Sequence, residues 1–174
     1  MKTVFFLRHA TSPQHTPLSD VDRPLDEQGR GEAKEVAVYF QSNKLTVDLV
    51  LCSAALRAQE TLEPLRSVLG TDNIEISKDF YNISEDKILQ VLQDIPEGIS
   101  RVLYIGHNPG IAFAILKFSE AFPDFLKQNI TPATLVELHF EAEIWKNMGW
   151  KQGEIIRVFH PDFVPPESLS LAEQ

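Results

Sequence analysis

Thr3-Val4-Phe5-Phe6-Leu7, followed at once by Arg8-His9, is the stretch from which the fold is read. A short, β-rich and continuously apolar run predicts a strand buried on both faces, as in a parallel sheet. The pattern returns in Asp48-Leu49-Val50-Leu51-Cys52 and in Arg101-Val102-Leu103-Tyr104-Ile105, and Ile74-Glu75-Ile76 predicts a shorter strand between them. A helix follows each strand. Asp26 is placed to cap one that runs to Ser42, with Ala33, Val36, Ala37 and Phe40 at i, i+3, i+4 and i+7. The segment from Leu56 to Leu69 carries Leu62, Leu65 and Leu69 on one face, with a kink or restart expected at Pro64. Ser84 caps a third helix with Ile88, Val91, Leu92 and Ile95 turned inward, ending near Pro96, and Pro109 opens a fourth over Ile111–Phe118.

Four strand-helix units predict a single-domain α/β fold, a doubly wound, mostly parallel sheet with helices on both faces. Leu135–Phe140 and Ile155–Phe159 alternate instead, so they predict an antiparallel hairpin at the sheet edge. The domain is expected over residues 1–160, with a C-terminal tail over 161–174 that contains Pro165-Pro166.

The 174 residues are 43% apolar, enough to build one core, and two full domains would be cramped. Sixteen basic against twenty-five acidic residues leave a net charge of −9, which disfavours nucleic acid and anionic membranes as partners. Any anion site must be a local basic pocket. The single cysteine, Cys52, excludes an internal disulfide and multi-cysteine zinc sites. Val4–Leu7 is far shorter than the roughly 7–15 residue core of a signal peptide, and Ile111–Leu116 falls short of the roughly 20 residues that span a bilayer. The expectation is a cytoplasmic protein with no membrane helix.

In a doubly wound sheet, ligands bind beyond the carboxyl ends of the strands. The residues leaving those ends are Arg8 and His9, the segment Ser53 to Arg57, and Gly106-His107-Asn108. Two arginines and two histidines therefore converge on one rim. Guanidinium forks match phosphate oxygens, and the helix amino ends there add N–H donors. A neutral imidazole can accept a phosphoryl group while a second stabilises its equatorial oxygens. The chemistry this predicts is phosphoryl transfer through a phosphohistidine, without a cofactor or metal.

Leu7-Arg8-His9-Ala10, Ser53-Ala54-Ala55-Leu56-Arg57-Ala58-Gln59-Glu60-Thr61 and Gly106-His107-Asn108-Pro109 resemble, in order and spacing, three motifs of the histidine phosphatase superfamily. With Asp20-Val21-Asp22-Arg23-Pro24-Leu25 and the short length, the chain looks most like the SixA-type phosphohistidine phosphatases. The resemblance implies His9 as nucleophile, Arg8 and Arg57 as phosphate clamps, and His107 as the second pocket histidine. Ala10, Ala54 and Glu60 depart from glycine, proline and glutamine in the family pattern. Ala10 is expected to tighten the pocket floor, and Glu60 to bring negative charge near it.

Superfamily mutases and many phosphomonoesterases resemble one another in carrying a glutamate acid on a large insertion between the third and fourth strands. Ser77–Arg101 leaves little room for one, so an open pocket and hydrolysis are expected. A protonated imidazole leaves phosphorus without help from an acid, which favours phosphohistidine over phosphoserine. The candidate carboxylates are Asp20 and Asp79, and Asn108 and Arg23 are further candidates for phosphate or substrate contact. An open pocket suits a phosphorylated protein, a phosphotransfer or phosphocarrier domain, or else a small phosphorylated molecule.

Blander readings compete with each of these. Arg57 alone would be a solvated helix residue, and His9 alone a structural loop residue; their convergence with His107 raises both. His15, His139 and His160 lack partners at ligand spacing, so no zinc site is expected. Gly29-Arg30-Gly31 reads as helix-start flexibility, and Trp145 and Trp150 as edge packing. Three alternatives stay open: a small-molecule phosphomonoesterase, a catalytically weak phosphate-binding module, and a metal-dependent hydrolase using His9, His107 and Asp20.

Overall fold

The computed structural model describes residues 1–128 and 130–162. Strands β1 (Lys2–Arg8), β2 (Leu49–Ser53), β3 (Ile74–Ser77) and β4 (Arg101–Gly106) are parallel. Strand β5 (Leu135–Phe140) pairs antiparallel with β1, and β6 (Gly153–Phe159) pairs antiparallel with β5. The sheet order is β3-β2-β4-β1-β5-β6, so the hairpin forms one edge as its alternating pattern predicts. The expected tail lies outside the described residues from 163 onward.

Each central strand is buried because side chains of alternate residues meet a helical layer on either face. Phe5 and Leu7 pack with Ala33, Val36 and Phe40 of α1 (Glu27–Ser42) and Ala58 and Leu62 of α2 (Leu56–Leu62). Val4 and Phe6 turn the other way, onto Ile88 and Leu92 of α3 (Glu85–Gln93) and Ile111 and Ile115 of α4 (Gly110–Phe118). Cys52 sits fully buried, its thiol pushed up to about 12 by burial and thus inert, a core residue as expected. Among the described residues, no helix is long and apolar enough to cross a membrane.

Local signals account for the helix ends. Asp26 Oδ1 accepts the Gly29 N–H at 2.8 Å and Ser84 Oγ accepts from Lys87, the caps read from the sequence, each worth about 1 kcal/mol. The helix expected over 56–69 is shorter than its periodicity: α2 stops at Leu62 and gives way to a 3-10 turn, Glu63–Leu65, because Pro64 has no N–H to continue the ladder. Gly29 serves closeness, not flexibility. A β-carbon there would stand 2.0 Å from the Thr11 carbonyl oxygen, so only glycine lets the loop after β1 lie against the start of α1.

Candidate active site

Strand β1 delivers Arg8 and His9 to the carboxyl edge of the sheet, where the backbone itself is clamped. The His9 N–H donates to Gly106 O at 3.0 Å, and the His9 carbonyl accepts from Ala133 N at 3.1 Å. Strand β2 ends at Ser53, the first turn of α2 carries Arg57, and β4 hands over to His107 and Asn108. The four rim residues read from the sequence are thereby brought together, at a cleft of about 260 Å³ that Arg23, Asp20 and Asn108 also line.

Hydrogen-bond partners assign the imidazole tautomers. His9 Nδ1 lies 2.7 Å from the Ala10 carbonyl, which only accepts, so Nδ1 carries the proton. His9 Nε2 is left with its lone pair, facing Arg57 Nε–H at 3.3 Å. His107 is the reverse: Nδ1 accepts from Arg57 Nη2 at 3.2 Å, and Nε2–H donates to Ser53 Oγ at 2.7 Å. The two rings are 5.1 Å apart. Ala10, on the pocket floor, donates its N–H to Thr61 Oγ1, whose hydroxyl donates to the Arg57 carbonyl, so α2 and the floor are tied together.

Both imidazoles are held neutral. Burial first, and the nearby cations second, pull His9 and His107 down to about 3, against the opposing effect of the Ala10 bond on His9. The unfolded chain binds a proton at each near pH 6.5 while the folded one does not, so stability falls as pH drops from about 6.5 towards 3. Each histidine contributes up to about 1.4 kcal/mol per pH unit in that window. Two results are expected: ¹⁵N spectra that show both rings neutral at pH 5, and a shallower loss of urea resistance on acidification in His107→Gln. An imidazolium signal from His9 or His107 at pH 5 would contradict the assignment.

Asp20 sits on the 3-10 turn Asp20–Asp22 and reaches back across the cleft. Its carboxylate accepts from Arg57 Nη2 at 3.0 Å, from Arg23 Nη2 at 2.8 Å, and from the Tyr81 hydroxyl, while its carbonyl accepts from Arg57 Nη1 at 2.5 Å. The Tyr81 bond first, and Arg23 second, hold this carboxyl well below the usual carboxylate range. Arg23 is in turn anchored on Ser12 Oγ and the Pro13 carbonyl. Arg8 Nη1 and Asn108 Nδ2 both donate to the Ile130 carbonyl. Among the described residues, Arg8 Nε and Asn108 Oδ1 are buried without a partner.

Asp79, the other candidate carboxylate, is not brought to this cleft. It is exposed on the turn Lys78–Phe80 and borders a separate groove by α3. Two residues on, Tyr81 takes its place, stacked edge-on against His107 with ring centroids 5.4 Å apart. Glu60 does not line the cleft: its Oε2 accepts the Leu25 N–H at 2.6 Å, so its charge anchors the neighbouring loop. The sequence does not mark Ser53 and Tyr81 as site residues, although Ser53 opens the α2 motif and Tyr81 adjoins the Asp79-Phe80 pair. Glu32, buried on α1, went unnoticed too, and it receives the Thr11 N–H and hydroxyl at 2.8 and 2.9 Å, fixing the loop that follows His9. Of the lone histidines, His139 lies 2.7 Å from Glu137 and His160 bonds the Pro132 carbonyl, whereas His15 is exposed. Trp145 is buried, its Nε1–H donating to Ile99 O.

Residues 4–88 match the model of the histidine phosphatase superfamily, branch 1. The chain is 30% identical over 104 residues to an uncharacterized protein of Mycobacterium tuberculosis, covering 59% of this chain and 63% of that protein, under two thirds of the relative's length. It is 29% identical over 141 residues to phosphohistidine phosphatase SixA of Escherichia coli, covering 77% of this chain and 86% of the other. A SixA-type structure from Nakamurella multipartitia superposes with a TM-score of 0.80 at 25% identity, over 93% of this chain and 97% of that one. The protein histidine phosphatase SixA complexed with tungstate superposes at 0.75 with 23% identity, over 91% and 97%, a likeness of fold. With the three motifs brought to one cleft on a fold of the SixA type, the chain is similar, over residues 4–88, to branch 1 of the histidine phosphatase superfamily.

Proposed function

We propose that the protein is a phosphatase that hydrolyses phosphohistidine, by preference on a protein, through a phosphohistidine intermediate on His9. One observation carries the reading: a neutral imidazole whose Nε2 lone pair points at a guanidinium, in a cleft lined by Arg8, Arg23 and Arg57. The His9 lone pair forms a bond to phosphorus as the bond from phosphorus to the substrate's imidazole breaks, and that imidazole, protonated on its other nitrogen, departs neutral. Water then attacks the phosphorus on His9 and releases inorganic phosphate. Arg8 and Arg57 balance the charge on the equatorial oxygens, and the unpartnered Arg8 Nε–H is a donor suited to one of them.

What stands at the cleft, and the short connection beside it, support this substrate class. The carboxylate there, Asp20, is ionised and so a poor proton donor, which suits a leaving imidazole better than an alkoxide. Between β3 and β4 run only the turn Lys78–Phe80 and α3, so water reaches the cleft. An apolar groove of about 330 Å³ adjoins it, sharing Arg8 and Asn108 and walled by Phe113, Leu116 and Phe122, which favours a protein substrate such as a phosphotransfer or phosphocarrier domain. Tungstate in a SixA of the same fold is consistent with an oxyanion seat.

The test compares phosphate release from a chemically phosphorylated histidine protein and from p-nitrophenyl phosphate, each with and without EDTA. Turnover of the first, unaffected by EDTA, is expected. Turnover of the second alone would make the protein a small-molecule phosphomonoesterase, loss of activity to EDTA a metal-dependent hydrolase, and turnover of neither a phosphate-binding module.

A further inference from the structure

Every donor nitrogen of Arg57 is engaged inside the protein. Nε–H faces His9 Nε2, Nη2 faces both His107 Nδ1 and the Asp20 carboxylate, and Nη1 holds the Asp20 carbonyl. The Arg57 side chain is 3% exposed, whereas the Asp20 side chain is 49% exposed and sits on a short turn between loops. A phosphoryl group that reaches His9 Nε2 needs the same fork, because a planar guanidinium binds a carboxylate and a phosphate with the same pair of donors. The two anions therefore contend for one cation, and the half-exposed aspartate side chain, not the buried arginine, has room to move.

We propose that Asp20 is an internal competitor for the phosphate seat: its carboxylate occupies Arg57, yields it to the incoming phosphoryl group, and retakes it to expel the product phosphate. Arg23 and Tyr81 supply the tether. Both hold the same carboxylate, at 2.8 Å and through the phenol hydroxyl, so a displaced Asp20 stays beside the cleft at high local concentration. The proposal rests on the phosphoryl-site reading above and goes beyond it by giving one residue control of product release.

The experiment measures tungstate affinity by calorimetry, and the inhibition constant of inorganic phosphate in steady-state turnover, for the intact protein, Asp20→Asn and Asp20→Ala. Both variants are expected to bind tungstate about 10-fold or more tightly and to show a matching fall in the phosphate inhibition constant, since removing an anion that competes for a cationic seat raises the affinity of the others. Exposure of the side chain makes both variants foldable, and a thermal melt checks this. Unchanged or weaker tungstate binding in both would overturn the proposal, because a residue that merely shaped the loop would not tighten anion binding on removal. If the intact protein and both variants all fail to bind tungstate, the phosphoryl-site reading falls and the proposal with it. Tight binding by the variants alone would support the competitor in its strongest form.

Discussion

His9→Ala is expected to lower kcat by about 10⁴-fold or more, because it removes the group that forms the covalent intermediate and leaves only the binding and electrostatic parts of the site. The geometry makes this specific to Nε2. With the Nδ1 proton committed to the Ala10 carbonyl, Nε2 is the nitrogen with a lone pair facing the arginines. Burial keeps it unprotonated through the physiological range, so it needs no general base to become a nucleophile. Rapid acid-free quenching of the intact protein during turnover should leave an acid-labile, base-stable phosphoryl label on one histidine. That label should be absent from the variant. Retention of turnover within about ten-fold of the intact protein would remove His9 from the mechanism and reopen the choice between the two imidazoles.

Arg57→Ala comes second, with an expected loss of about 10²- to 10³-fold in kcat/KM, the usual cost of removing one preorganised donor from a developing anion. Arg57→Lys should recover little of it. The guanidinium spans both histidines and Asp20 from one plane, at 3.3, 3.2 and 3.0 Å, and an ammonium on a flexible stem is a point charge that cannot present those donors together. A lysine variant within a few-fold of the intact enzyme would mean that net charge matters here and fork geometry does not. Orthovanadate inhibition should weaken in parallel in both variants, since it probes the same seat without requiring turnover.

How far the site was legible in the chain differs residue by residue. Arg8, His9 and His107 were legible because they stand at or just past the end of a strand whose uninterrupted apolar run announces burial on both faces, and the carboxyl edge of such a sheet is where its loops converge. Arg57 was legible from its place one turn beyond Ser53. The two aspartates were not separable in the same way. Asp20 and Asp79 lie in turns whose local sequence says nothing about which way a carboxylate faces, and only the packed structure turns one onto Arg57 and leaves the other in solvent. Tyr81 and Ser53 escaped notice for a related reason: a hydroxyl becomes a site residue through the partner it meets, and theirs, Asp20 and His107, are distant in sequence.

Local signals in the chain suffice for the layered fold, the caps at Asp26 and Ser84, the break at Pro64 and the set of four residues on the rim. These depend on local periodicity, on a missing N–H, or on motif spacing, all of which are properties of a short stretch of chain. Tertiary structure alone decided the charge state and tautomer of each imidazole, the role of Glu60 as a loop anchor, the need for glycine at position 29, and the hold of Asp20 on Arg57. Apart from the Ala10 carbonyl that fixes the His9 tautomer, each is set by a partner contributed from another element and by how much water the meeting of the two excludes, quantities that exist only once the chain has folded.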